Sequence, residues 1–301
     1  MKDKKQLLGM LAALTANVIF GFSFIFSKLA LQSSHPLIIL AVRFTVAFAV
    51  LNLLLLTGKI KLKLKGKPKK RLVMMGLAQP LLYFIFELYG LSLVSSALSG
   101  VIIALVPVAV MLLAIAFLKE RPTILQVLCT AFSIVGISLM SIISNDGSKN
   151  HFLGIFLLIG AVACAAVFNV LSREESERFS PFERTYMMFL LGAVGFNILA
   201  VSVLRESYIP ILISSLKEPM FMVAIIYLAV FSSVGAFMLY NYSTTLISVV
   251  QSSSFSNIIT VVTVFAGVLI LKEKFTVLEY ILCALIIFGV WGVNTFTRQE
   301  K

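Results

Sequence analysis

Glu87 is the only carboxylate set well inside a long apolar run of this sequence. A charge at the centre of a membrane helix costs roughly 2.5–3.5 kcal/mol on insertion scales, so it finds a partner, faces water or works. Tyr83 and Gln79 stand four and eight residues before it. Helical spacing puts all three on one face. Arg43 lies at a similar depth in the preceding run, on the order of 7–11 Å below the surface at 1.5 Å per residue. The two charges are expected to approach each other, with Lys28 nearby. Their chemistry is either a structural ion pair that fixes helix packing or a titrating Glu87 that takes up and releases a proton in a coupled cycle. A Glu87 facing the outer vestibule is a third placement.

A second polar row comprises Ser252, Ser253, Ser256, Asn257 and Thr260. Small residues at three- and four-residue spacing mark close helix packing. Asn257 is larger and needs partners, and with Ser253 it is a candidate for a solute cavity. Asn17 and Asn169 are similar amides inside apolar runs. Phe20 and Phe24 share one helix face, and Tyr240 falls at the position that repeats Glu87. Aromatic rings with a few amides suit an amphipathic solute. The candidate cavity set is therefore Asn17, Phe20, Phe24, Gln79, Tyr83, Glu87, Asn169, Tyr240, Ser253 and Asn257, with Arg43 as the partner of Glu87.

Other chemistries find little support. Cys129, Cys164 and Cys283 all lie in apolar runs with no CxxC or Cys/His cluster, so they read as small buried hydrophobes without a metal or disulfide role. His35 and His151 sit at the ends of runs. No Walker A sequence is present, so the chain offers no ATP site. An integral membrane enzyme needs clustered His, Asp or Glu, and those are missing. No cofactor is implied. The net charge of +12 is concentrated in the loop Lys59–Arg71. That is where a membrane protein keeps cytosolic charge, and it argues against nucleic acid. The same loop could meet anionic lipid.

The elements that must position these residues are membrane helices. Apolar residues make up 60% of the 301 and charged residues 13%, against roughly 45–50% apolar in soluble domains. Ten spans are expected, at about Leu7–Leu31, Pro36–Thr57, Leu72–Leu91, Ser96–Leu118, Thr123–Ile143, Phe152–Leu171, Phe182–Leu204, Met220–Tyr242, Leu246–Leu271 and Val277–Phe296. The first run is too long for a signal-peptide core. At an offset of 153, Leu118, Lys119, Glu120, Thr123 and Gly136 recur as Leu271, Lys272, Glu273, Thr276 and Gly289. At an offset of 145, Gly9, Ser27 and Pro36 recur as Gly154, Ser172 and Pro181, and Lys28 faces Arg173. The chain is thus two copies of a five-helix unit, residues 1–144 and 151–297, joined by the turn-rich SNDGSKN. An odd number of spans inverts the second copy. With both termini in the cytosol, inside segments hold 18 basic residues and outside segments 5, which orients the chain in the cell membrane.

These residues resemble the EamA-like transporters of the drug/metabolite transporter superfamily. The family's first span carries a Trp-Gly-x-Asn/Ser-Phe stretch and a Lys near its end; here these are Phe20-Gly21-Phe22-Ser23-Phe24 and Lys28. Its second span opens with a Pro and carries Arg-Phe, here Pro36 and Arg43-Phe44. Its fourth has a central Pro, here Pro107, and ends in a Glu, here Glu120 and in the repeat Glu273. Phe20 replaces the usual Trp, and Thr260 stands where the second half might repeat Pro107. The resemblance covers about residues 7–297. It implies an all-α membrane protein of ten helices in two inverted halves. It also implies a central cavity lined mainly by spans 1, 3, 4, 6, 8 and 9, and movement of small metabolites or drugs, often outward. A lipid flippase on the same architecture is the alternative. The substrate, the coupling ion and the oligomeric state, a homodimer included, are left open by the sequence.

Overall fold

The structure, a computed structural model, describes residues 2–58, 62–64, 66–118, 123–143, 150–247, 252, 255–273 and 276–295. Ten long helices organise these residues. They are α1 (Lys2–Leu31), α2 (Pro36–Leu56), α3 (Lys70–Leu93), α4 (Ser96–Ile103 continued by Val106–Leu118) and α5 (Ile124–Ile143). The second half holds α6 (His151–Glu175), α7 (Pro181–Leu204), α8 (Pro219–Leu246), α9 (Ser256–Ile270) and α10 (Val277–Thr295). Seven are long and apolar enough to cross a bilayer, and α5, α9 and α10 contribute shorter apolar segments. Span 9, expected from Leu246, falls partly on residues outside those described, as do the linker 144–149 and the turn 119–122.

Local chemistry sets the helix starts. Pro36, Pro181 and Pro219 occupy first-turn positions, where their missing N–H costs nothing. His35 Nδ1 accepts the Leu37 amide at 3.2 Å and Ser95 Oγ that of Leu98 at 3.1 Å. Ser180 and Glu183 form a reciprocal capping box. So do Thr276 and Glu279, which accounts for the Thr in the repeated turn.

The contacts themselves establish that the halves are inverted. At one end, Lys28 Nζ near the end of α1 donates to the carbonyls of Leu91 (2.8 Å) and Val94 (2.6 Å) at the end of α3. Gly154, at the start of α6, lies against Leu93 and Val94. At the other end, Arg173 near the end of α6 donates to Thr244 O at 2.7 Å near the end of α8. Gly9, near the start of α1, lies against Leu246 and Ile247. So α1 ends where α6 begins, and the two helices run in opposite senses. The repeat offsets convert the Lys28–Leu91 bond into Arg173–Thr244 and the Gly154 contacts into those of Gly9. Helix pairing obeys the same two-fold. α2 meets α7, α4 meets α9 and α5 meets α10, while α1–α8 answers α3–α6. Phe44 touches its own counterpart Phe189 (ring centroids 5.4 Å), and Phe84 touches Phe237 (6.2 Å).

Both third helices are interrupted at mid-length. In α3 the stretch Leu77–Leu82 widens and Gln79 leaves helical geometry (φ −144°, ψ 116°), as expected for a residue preceding a proline. In α8 the stretch Tyr227–Ala236 widens into a π-type turn, and it contains the repeat counterpart of Leu77–Leu82. Discontinuous helices at the midplane are where transporters place solutes.

One element lies outside the expected plan. Residues 205–217, read as a loop, form a tight turn Arg205–Ser207 and a helix Tyr208–Lys217. Ile211, Leu212 and Ser215 face the bundle and Ile209, Ile213 and Leu216 are exposed. Hydropathy missed it because ten residues cannot cross a bilayer, whereas an apolar stripe at helical spacing suits an interface. Ser215 Oγ bonds Ser34 Oγ at 2.7 Å, so this helix sits at the end holding the 32–35 turn, hereafter the far end. The opposite, basic end carries the described part of the Lys59–Arg71 loop. There Glu183 accepts Lys63 N at 2.7 Å and Lys67 Nζ at 3.2 Å, and Arg71 pairs with Glu174 at 2.8 Å.

Candidate functional site

A cavity lies at mid-height between the halves. Its lining is built on the two-fold. Phe20/Ala165, Ser23/Phe168, Phe24/Asn169, Phe84/Phe237, Glu87/Tyr240, Ile103/Ser256 and Val106/Ile259 all line it, each pair related by a repeat offset. Asn17, Arg43, Gln79 and Tyr83 complete the wall without lining counterparts. The walls are thus nearly symmetric in shape and unsymmetric in charge. Both charged groups come from the first half. The free volume is about 60 Å³. That is room for a few waters, far below the roughly 300–1,000 Å³ of ordinary solute pockets.

Helical spacing delivers Tyr83 and Glu87 to one wall, and Gln79 joins them through the break before Pro80. Gln79, Tyr83 and Glu87 are all present along α3. Asn17 and Asn169 each donate Nδ2 to the carbonyl four residues back (Ala13 and Ala165, both 2.7 Å). Asn169 Oδ1 accepts the Tyr240 hydroxyl. Phe20 meets Phe237 edge to face at 4.9 Å and Tyr240 at 6.3 Å. On α9 it is Ser256 and Ile259, not Asn257, that line the cavity. A helix turns 100° per residue, which carries Asn257 off that face. Its buried Oδ1 has no hydrogen-bond partner. Ser253 lies outside the described residues.

Arg43 and Glu87 do approach each other, near enough to interact electrostatically, but no direct ion pair joins them. Both are 2% exposed and line the same cavity, yet the described ion pairs involve Lys67, Arg71 and Arg178 instead. Arg43 Nε donates to Ser233 Oγ at 2.9 Å and Nη2 to Ser232 Oγ at 3.2 Å. Its guanidinium carbon lies 4.3 Å from the Phe84 ring centroid, within cation–π range. The interrupted turn of α8 brings those two hydroxyls to the arginine, and they take the donors the carboxylate was expected to take. Glu87 Oε2 is buried with no hydrogen-bond partner. Lys28, expected beside this pair, serves the α3 carbonyls instead. It lines a second hollow of about 380 Å³ at the far end, with Gln32, Ser34, Tyr89 and Ser92.

Sequence reasoning missed several lining residues. Phe84, Phe237, Ile103, Val106 and Ser256 are among them, and applying the repeat offsets to every neighbour of Glu87 would have found the first two. It also missed Arg184. This arginine is fully buried in α7 and joins three helices. Its Nη1 donates to Ser172 O (2.7 Å), Ser172 Oγ (2.8 Å) and Thr244 Oγ1 (2.9 Å), and its Nη2 to Asn241 O.

Comparison with known proteins agrees with this architecture. The chain is 34% identical to the uncharacterized transporter YcxC of Bacillus subtilis (strain 168), over 98% of this chain and 95% of that protein. An uncharacterized transporter of Archaeoglobus fulgidus is 24% identical over 91% of this chain and 94% of its own. A solved crystal structure superposes with a TM-score of 0.68 at 17% identity, covering 94% of this chain and 95% of that one, which shows the shared fold. The model of the EamA-like transporter family matches residues 7–142 and 152–295. With two such matches spanning nearly the whole length, the chain belongs to the EamA-like transporter family and is a multi-pass membrane transporter.

Proposed function

We propose that this protein is a secondary transporter that moves small amphipathic metabolites or drugs, amino-acid-like solutes among them, outward across the cell membrane by alternating access. The observation that carries this reading is the cavity on the two-fold axis, walled by matching residues of two inverted halves and flanked by two interrupted helices. A site so placed is reached from either side by rocking one half against the other. Its small free volume favours a state closed around too little space for such a solute, so the halves separate to admit one. The basic loop supports a cytosolic location for its own end and for both termini. Residues 1–144 and 151–297 act as the two rocking units. The polar face for the solute is Gln79, Tyr83 and Glu87, opposed by Asn169, Tyr240 and the rings of Phe20 and Phe24. No step of covalent chemistry is assigned to the chain.

A thermal-shift screen of the purified protein against metabolite pools tests the cavity, because a ligand that binds only the folded state raises its apparent stability. Any hit is then followed as flux in proteoliposomes. Gln79→Ala and Tyr83→Phe are expected to weaken binding and flux together. Binding and flux that ignore both substitutions reject the cavity as the solute site.

A further inference from the structure

We propose that the solutes accepted by this cavity carry a protonated amine beside an aromatic or apolar body, and that the Glu87 carboxylate is the acceptor for that amine. The proposal rests on the solute-cavity reading above and adds to it the chemistry of the solute.

Glu87 carries the argument. Its carboxyl lies in the cavity wall, 2% exposed, and Oε2 is buried with no hydrogen-bond partner. Leaving a carboxylate unpaired in a low-dielectric interior is costly. The one cation in the same wall attracts it from a distance but gives it no hydrogen bond. Arg43 commits two of its donors to Ser232 and Ser233, and its guanidinium carbon sits within cation–π range of Phe84. The repeat sharpens the contrast. Tyr240, the counterpart of Glu87, is satisfied by Asn169. The cavity therefore offers a single strong acceptor, on its α3 side.

The rest of the wall suits the same partner. Phe20, Phe24, Phe168 and Phe237 line the cavity. Their faces attract a cation and their edges stack against a ring. A solute with an amine at one end and a ring at the other would lie with the amine toward α3 and the ring toward α6 and α8. Arg43 retains further N–H donors, since a guanidinium has five. A carboxylate on the same solute can use them, so a zwitterion also fits. An anion without an amine fits poorly, because it brings a second negative charge beside Glu87. A proton satisfies the same oxygen, so amine and proton compete for it and acidification weakens amine binding.

The test uses the full-length protein in detergent micelles and four probes sharing one ring: 2-phenylethylamine, phenylalanine, 3-phenylpropanoate and 3-phenylpropan-1-ol. Calorimetric titration is expected to rank the two amines on the order of tenfold or more above the propanoate, one decade per 1.4 kcal/mol. Glu87→Gln, nearly the same shape, should weaken the amine about tenfold and leave the neutral alcohol within about twofold. Glu87→Asp, which keeps the charge and shortens the reach, falls between. Equal affinity for propanoate and amine, an amine indifferent to Glu87→Gln, or no amine binding at all overturns the proposal. Should the glutamine variant not fold, the ranking of probes on the parent protein decides by itself. The two readings fail differently. If the alcohol binds through Gln79 and Tyr83 with no advantage for the amine, the cavity stands and the amine is wrong. If binding ignores Gln79, Tyr83 and Glu87 alike, the cavity is wrong.

Discussion

Removing the Glu273 carboxylate should unfasten α4 from the second half at the far end. Glu273 Oε1 accepts the Ser96 amide at 2.9 Å and its hydroxyl at 2.8 Å, and Oε2 accepts the Ala97 amide at 3.2 Å. These donors are in the first turn of α4, where amides have no partner within the helix. The group is thus an N-cap supplied from the opposite half of the chain. Gly267 makes room for it. A Cβ there would come within 2.8 Å of Glu273 Oε2 and 3.0 Å of Ser96 Oγ. A cap is worth about 0.5–2 kcal/mol, and a bond to a charged acceptor about 1.5–3. Polar side-chain contacts in membrane proteins average nearer 0.6 kcal/mol. Glu273→Ala should therefore cost about 2 kcal/mol, and Glu273→Gln, which keeps one oxygen for Ser96, about 1. Gly267→Ala expels the same carboxylate and should cost about as much as Glu273→Ala. Because both act through one contact, the double variant should lose little more than the larger single loss. Unfolding free energies from sodium dodecyl sulfate titration in mixed micelles compare the four variants with the parent protein. Strict additivity, or a Glu273→Ala loss below about 0.5 kcal/mol, would refute the reasoning.

Three further outcomes follow from the packing. A Cβ at Gly9 would lie 2.9 Å from Leu246 Cβ, and one at Gly154 2.9 Å from Leu93 Cβ, so Gly9→Val and Gly154→Val should each destabilise by about 1–3 kcal/mol; a large loss at one and none at the other contradicts the two-fold packing. Arg184→Ala strips four hydrogen bonds from a buried junction and should cost about 3 kcal/mol in the same titration, with Arg184→Lys intermediate because an ammonium lacks the planar fork. His35 caps α2 through an unprotonated nitrogen, and burial lowers its pKa from the ordinary 6.5. The unfolded chain then binds the proton more readily, so the cap's contribution is complete above about pH 6.5 and is lost as pH falls through the lower folded value. His35→Asn, which caps without titrating, should flatten that part of the stability–pH curve, and an unchanged curve rejects the assignment.

Much of this architecture is legible in the sequence because helical membrane proteins are written in local arithmetic. Apolar run length gives the helices, and a fixed offset gives the duplication. Helical spacing alone places Tyr83 and Glu87 along one wall, as it does Phe20 and Phe24, whereas Gln79 reaches the same wall through the break before Pro80. What escaped depends on departures from the regular helix. The Arg43 partners lie 189 and 190 residues away and are brought to it by the wide turn in α8, a stretch without proline. Asn257 differs from Ser256 by one step of helical phase, and that phase follows from where α9 begins. Glu273 looked like an ordinary turn charge because its partners belong to the other half. The helix Tyr208–Lys217 is too short to register as a span.

The unlike poles of the central hollow have a consequence for why the two copies share one polypeptide. A dimer of identical five-helix subunits around a two-fold must show every group twice. Glu87 would then confront a second Glu87 at bilayer depth, and two such carboxylates cannot comfortably both ionise. In the fused chain the equivalent position is Tyr240, and Met188 stands where Arg43 would recur. In a tandem chain the two copies can differ at these positions, and here only the first carries the charges. A binding partner can consequently be held head first, with a defined sense along the membrane normal, which no homodimer of either half could impose.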